Sequence, residues 1–101
     1  MASTRIHDCK ATANLQPPGP FSLTVTCKVK MNAGQKAELV PAVPQGINAK
    51  ILILDLVIHG RGAEPIDQEV KYQDKNYKNQ YDQVTIRYET EHCTAKVVVV
   101  Q

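Results

Sequence analysis

The side chains with the chemistry for catalysis or metal binding are few and widely spaced. The candidate bases, ligands and nucleophiles are His7, His59, His92, Cys9, Cys27, Cys93, Ser3 and Ser22. A transition-metal site gathers several such donors in one coordination sphere, and close pairs along the chain usually announce it. Here there is no C-x-x-C pair and no close pair of histidines. A zinc ribbon and a thioredoxin-like redox pair are excluded on spacing, and no metal or other cofactor is expected. Each histidine reads as a solvated strand end. Neither serine stands in a nucleophile-elbow motif. Cys93 cannot use His92 as its base on one strand, because adjacent side chains point to opposite faces. The stretch HGRG (59–62) has two glycines but no helix pattern after it to complete a phosphate cradle. The chain reads as a non-enzyme.

Composition narrows the class further. Twelve basic against ten acidic residues leave a formal charge of +2, too weak and too scattered for an electrostatic nucleic-acid binder. The longest strongly apolar run, Ile51 to Ile58, falls far short of the roughly 20 residues of a spanning helix, so no membrane partner is expected. The opening MASTRIHDCKATAN lacks the apolar centre of a secretory signal. The expectation is a soluble cytoplasmic protein, although a mature secreted chain would read the same. With 101 residues, 43% hydrophobic and 22% charged, the chain suits one domain over 1–101 with a single modest core.

The elements that must position these residues read as strands. Cys9, Ala11, Ala13 and Leu15 alternate with polar residues, and so do Phe21, Leu23, Val25, Cys27, Val29 and Met31. Period-two alternation of that length predicts two long strands, each with one face inward. QPPGP (16–20) between them turns the chain. A hairpin folded about Pro18 sets residues whose numbers sum to about 36 opposite each other, so Cys9 faces Cys27 and a bridge between them is geometrically allowed. The plainer reading is three small, largely buried thiols. MNAGQ (31–35) then reads as a turn, KAELV (36–40) as a short strand, and PAVPQGIN (41–48) as a rather apolar loop, because its prolines and glycine break any ladder. Lys50 to His59 is the next strand. GRGAEP follows as a turn, 69–73 alternates weakly, and 74–80 is a polar connection. Val84, Ile86 and Tyr88 mark another strand and AKVVVV the last. A helix over 64–81 ranks second to this reading, with Pro65 in its first turn and Ile66, Val70, Tyr77 and Tyr81 near one face. About seven short strands in this length predict an all-β, two-sheet antiparallel β-sandwich of immunoglobulin-like size.

The strand KILILDLVIH (50–59) carries the sharpest question. One face holds Leu52, Leu54, Leu56 and Ile58, an unbroken core set. The other holds Ile51, Ile53, Asp55, Val57 and His59, where an outward sheet face normally carries small polar or charged side chains. Such a patch must be covered by a loop, by neighbouring side chains or by another chain. Asp55 within it should have a donor, and Arg87, outward on a neighbouring strand, is the candidate. Two coverings are open: PAVPQGIN folds over the patch, or a protein does. The valine run 97–100 must likewise pair within the monomer or across a dimer.

A second stretch, KYQDKNYKNQYDQ (71–83), interleaves Tyr72, Tyr77 and Tyr81 with amide side chains, a combination that suits ligand-binding surfaces. Tyrosines lying on a core edge with wet hydroxyls are the plainer reading. Two functions are therefore expected. The first is an interaction or assembly module, a homo-oligomer or a protein-docking domain, whose interface is Ile51, Ile53, Asp55, Val57, His59 and Arg87. The second is a small domain binding a glycan, peptide or protease through Tyr72, Tyr77, Tyr81 and Arg61 on the Tyr-rich and Pro/Gly loops.

Overall fold

The longest alternating stretch of the sequence forms the longest strand. In the computed structural model, which describes residues 5–17 and 19–100, β2 runs from Ser22 to Asn32 and buries Leu23, Val25, Cys27, Val29 and Met31 on one face. The remaining strands are β1 (Ile6–Asn14), β3 (Lys36–Pro41), β4 (Ile51–His59), β5 (Pro65–Asp74), β6 (Gln83–Tyr88) and β7 (Glu91–Val100). No helix is present among the described residues, and hence none long and apolar enough to cross a membrane. Segment 64–81, the rival helix, begins as β5. Of its inward positions Val70 is buried while Ile66 and Tyr72 are half-buried, and Asp67, Glu69 and Lys71 point out. That is the dilute alternation of an edge strand, where charge discourages further pairing.

The strands form one sheet in the order β3-β4-β6-β7-β1-β2-β5. The expectation of an antiparallel two-sheet sandwich needs correction: β4 runs parallel to β6, and β1 runs parallel to β7. The sheet is mixed and curls until its edge strands β3 and β5 touch, so that it is nearly a closed barrel. Strand β7 joins the two halves of the sheet. Its first half pairs with β6 through Gln83↔Lys96 to Tyr88↔Glu91, and its second half with β1 through Ala11↔Val97 to Asn14↔Val100. The valine run is thereby paired within the chain, yet Val98, Val99 and Val100 keep exposed side chains. Inside the barrel, Leu23, Val25 and Val29 of β2 meet Leu54 of β4 and Val84 and Ile86 of β6, all fully buried.

The β1–β2 hairpin has the expected register only in its upper part. Lys10↔Thr26 to Asn14↔Ser22 sum to 36, whereas Ile6↔Val29 and His7↔Lys28 sum to 35. Between them Asp8 and Cys9 oppose the single residue Cys27, a β-bulge with Asp8 at φ 51°. Asp tolerates that left-handed conformation better than most residues. The bulge returns Ile6 to the inward face, which strict alternation would have turned outward. Pro18, the expected pivot, lies outside the described residues. The possible Cys9–Cys27 bridge is also replaced. Cys9 bonds to Cys93 of β7, with Cα atoms 6.6 Å apart, and Cys27 is a free buried thiol. The disulfide sits where β1 and β7 have separated below their short parallel ladder, so it holds the seam of the barrel. Phe21 departs from its expected inward place: it precedes β2 and is exposed.

Strand directions sort the connections to two ends. Loops 33–35, 60–64 and 89–90 share one end, and loops 15–21, 42–50 and 75–82 share the other with Val100. At the first end 33–35 and 60–64 interlock. Gln35 donates from its amide to the Gly60 carbonyl, and Ala33 N–H donates to the Glu64 carbonyl. A Cβ on Gly62 would lie 1.8 Å from the Ala33 carbonyl oxygen, so only glycine permits the approach.

Candidate functional site

The outer face of β3, β4 and β6 gathers the residues singled out on the fourth strand. Because Ala42 N–H donates to the Ile53 carbonyl and Val40 pairs with Asp55, the outward side chains of β3 continue those of β4 in one row. Val40, Ile51, Ile53 and Val57 are half-buried on this face, with Lys36, Glu38 and His59 around them. Val40 was not anticipated. Its β3 neighbours Lys36 and Glu38 mask the pattern, although its parity in KAELV marks the same face.

Asp55 and Arg87 are register partners across the parallel β4–β6 ladder, and the Arg87 guanidinium Nε donates to Asp55 Oδ1 at 3.0 Å. The pair is not dehydrated: the two side chains are 39% and 47% exposed. At that exposure the attraction is screened and contributes about 0–1 kcal/mol to folding. His59 lies 3.6 Å from Glu38 at the lower rim. The face therefore has aliphatic side chains above and below a central Asp55–Arg87 pair, with Lys36, Glu38 and His59 at its lower rim.

One of the two coverings left open by the sequence is partly realised. Loop 42–50 folds back on the upper part of β4. The Gln45 amide donates to the Ala42 and Ile53 carbonyls at 2.7 and 2.9 Å, and its Oε1 accepts from Ile53 N–H at 2.8 Å. Gln45 thus acts as a one-residue strand partner to Ile53. Gly46 packs so closely that a Cβ there would lie 2.9 Å from Ile53 Cδ1. Lower down, Asp55 and Val57 have only β3 and β6 beside them.

The same loop carries two aliphatic side chains into solvent, Val43 at 93% and Ile47 at 105% of full exposure. The sequence signalled an apolar loop at PAVPQGIN without distinguishing which of its residues would turn out. Ala42, next to Val43, is buried.

The Tyr-rich stretch divides. Tyr77 is buried and closes the end of the barrel. Its hydroxyl donates to the Tyr81 carbonyl and accepts from Tyr81 N–H, both at 3.1 Å, and the two rings stack with centroids 6.1 Å apart. Burial raises the phenol pKa of Tyr77 above its usual value, against the lowering effect of the Tyr81 backbone bond. Tyr72 is half-buried on β5, its pKa also raised, by burial first and then by the Asp74 and Tyr81 charges. Arg61 is at the opposite end of the barrel, in loop 60–64. The residues of the ligand-binding reading are thus not brought to one surface.

The remaining chemistry-bearing groups are dispersed. His7 Nε2 is 2.8 Å from Asp67 Oδ1 and its Nδ1 is 3.5 Å from Asp8, so it ties β1 to β5 across β2. His92 stands beside Arg87 in the β6–β7 register. Among the described residues no three His, Cys, Asp or Glu side chains are grouped to hold a metal ion. Ser22 pairs with Asn14 at the β1–β2 end, and Ser3 lies outside the described residues. No family model, no curated protein and no solved structure matches the chain.

Proposed function

We propose that the protein is a non-enzymatic assembly module that associates with a second copy of itself through the outer face of β3, β4 and β6, centred on Ile51, Ile53, Asp55 and Val57 and edged by His59 and Arg87. The observation that carries this reading is the aliphatic cluster of Val40, Ile53 and Val57 around Asp55 on an outward sheet face whose lower half no other segment of the described chain crosses. A second copy suits the face because its charges are self-complementary. Asp55 and Arg87 lie side by side, as do Glu38 and His59, so a twofold axis through the patch sets each acid near the opposite copy's base. Exposed ion pairs of this kind add little to folding but guide register when desolvated in a contact.

Val57→Lys tests the reading. Val57 lies below the part of the face that Gln45 and Gly46 cover, so the substitution leaves loop 42–50 in place. The expected result is a protein with wild-type circular dichroism whose mass by light scattering falls to that of one chain. A wild-type mass equal to one chain at high concentration, or an unchanged assembly in Val57→Lys, would overturn the proposal.

A further inference from the structure

The exposed large apolar side chains of the described residues, Phe21, Val43, Ile47, Val98, Val99 and Val100, all fall at one end of the barrel. That end is built from loops 15–21, 42–50 and 75–82 and the end of β7, and backbone hydrogen bonds join them into one surface. Tyr77 N–H donates to the Phe21 carbonyl, Asp82 N–H to the Lys50 carbonyl, and Leu15 N–H to the Val100 carbonyl. Pro17, Gly19, Pro20 and Phe21 line an open apolar hollow on it.

Charge is sorted in the same way. The three loops of this end hold Lys50, Lys75 and Lys78 against Asp82, a net of +2, while at the other end Arg61, Arg5 and Lys36 balance Glu64, Glu89 and Glu91 to a net of 0. At the strand ends beside the first cluster, Asp74 and Lys96 offset each other. The apolar end is therefore also the basic end.

We infer that this end docks on an anionic lipid surface, with Val43 and Ile47 entering the headgroup region and Lys50, Lys75 and Lys78 meeting the lipid charge. Apolar side chains ringed by lysine are the combination that holds a protein at such an interface, since burial and electrostatic attraction add. The geometry disfavours a second copy here, because like-charged lysines would face one another. It also disfavours a cleft-bearing protein partner: Val43 and Ile47 stand almost wholly in solvent, and a fluid headgroup layer takes up projecting side chains without a matching shape. The tip of their loop is held out and not merely loose. Gln45 anchors the loop to Ile53 at its middle, and Asn48 accepts from Lys50 N–H at 3.0 Å at its end.

The experiment is co-sedimentation of the full chain with vesicles of phosphatidylcholine alone and of phosphatidylcholine with phosphatidylserine. Binding is expected on the anionic vesicles and should weaken as salt is added. Val43→Ser with Ile47→Ser should lower the partition coefficient at least tenfold, and each of Lys50→Gln, Lys75→Gln and Lys78→Gln about fivefold. These side chains are outside the core, and circular dichroism checks that the variants fold. Equal binding to both vesicle types, no binding to either, or unchanged binding of the Val43/Ile47 variant would each overturn the inference. So would absence of vesicle binding together with a change of solution mass in that variant, which would make the tip a protein contact.

Discussion

Cys27 is the free thiol of the described chain, and its surroundings make it an alkaline sensor of folding. Burial, reinforced by the charge of Glu69, raises its pKa from the usual 9.0 to about 11. Between those values the unfolded chain has lost a proton that the folded chain keeps. Stability is therefore whole below about pH 9 and falls as the pH climbs towards 11, by up to about 2–3 kcal/mol from this group alone. The denaturant midpoint of the wild type should drop over that range. Cys27→Ala should start lower, for lost packing, and fall less steeply, since the raised tyrosines Tyr72 and Tyr77 still contribute above pH 10. Parallel slopes for the two proteins would show that the thiol is not the group responsible. The pairing of Asp55 with Arg87 followed from the sequence, because an acid among β-branched residues asks for a donor. Its modest value did not, because exposure depends on how far loop 42–50 reaches.

Between strand and loop, Tyr77 shows how one side chain ends an element. Segment 75–82 has turn formers and no apolar alternation, yet it must seal the barrel between β5 and β6. Tyr77 does so with its ring inside and its hydroxyl bonded twice to the Tyr81 backbone. Tyr77→Phe keeps the ring and removes both bonds, which should cost about 1–2 kcal/mol in urea unfolding. Tyr81→Phe is the control, because the bonds use its backbone and not its hydroxyl. Equal losses in the two variants would assign the effect to the ring stack instead. β5 was nearly hidden in the sequence for a related reason. An edge strand buries only part of one face, so its alternation is diluted by charges at Asp67, Glu69 and Lys71.

The barrel as a body depends on its seam. β1 and β7 share a parallel ladder from Ala11↔Val97 to Asn14↔Val100, and below it the Cys9–Cys93 bond spans 84 residues of sequence. Closing so long a loop restricts the unfolded chain, by about 4–5 kcal/mol in the chain-entropy account. Reduction by a dithiol, or Cys9→Ala, should lower the thermal midpoint by on the order of 20–35 °C in calorimetry. Cys93→Ala should match Cys9→Ala, and reductant should have no further effect on either. A midpoint indifferent to reductant would mean that the ladder and the core hold the seam unaided.

What the sequence by itself determined is local. Alternation in Leu23 to Met31 and in Leu52 to Leu56 specified strands and their inward faces, because a strand's period of two is written in neighbouring residues. Pro44 and Gly46 specified a loop, although Pro41, read as part of it, closes β3 opposite Leu54, and the sum rule specified the upper register of the first hairpin. The tertiary structure alone decided which strands became neighbours. β4 beside β6 and β1 beside β7 are contacts between segments far apart in sequence, and no periodicity encodes their direction. The same holds for Cys9, which meets Cys93 and not Cys27. The bulge at Asp8 and the course of β7 across the seam set that choice. It also holds for the gathering of Phe21, Val43, Ile47 and three valines at one end, since loops adjoin only after the strands that carry them have been ordered.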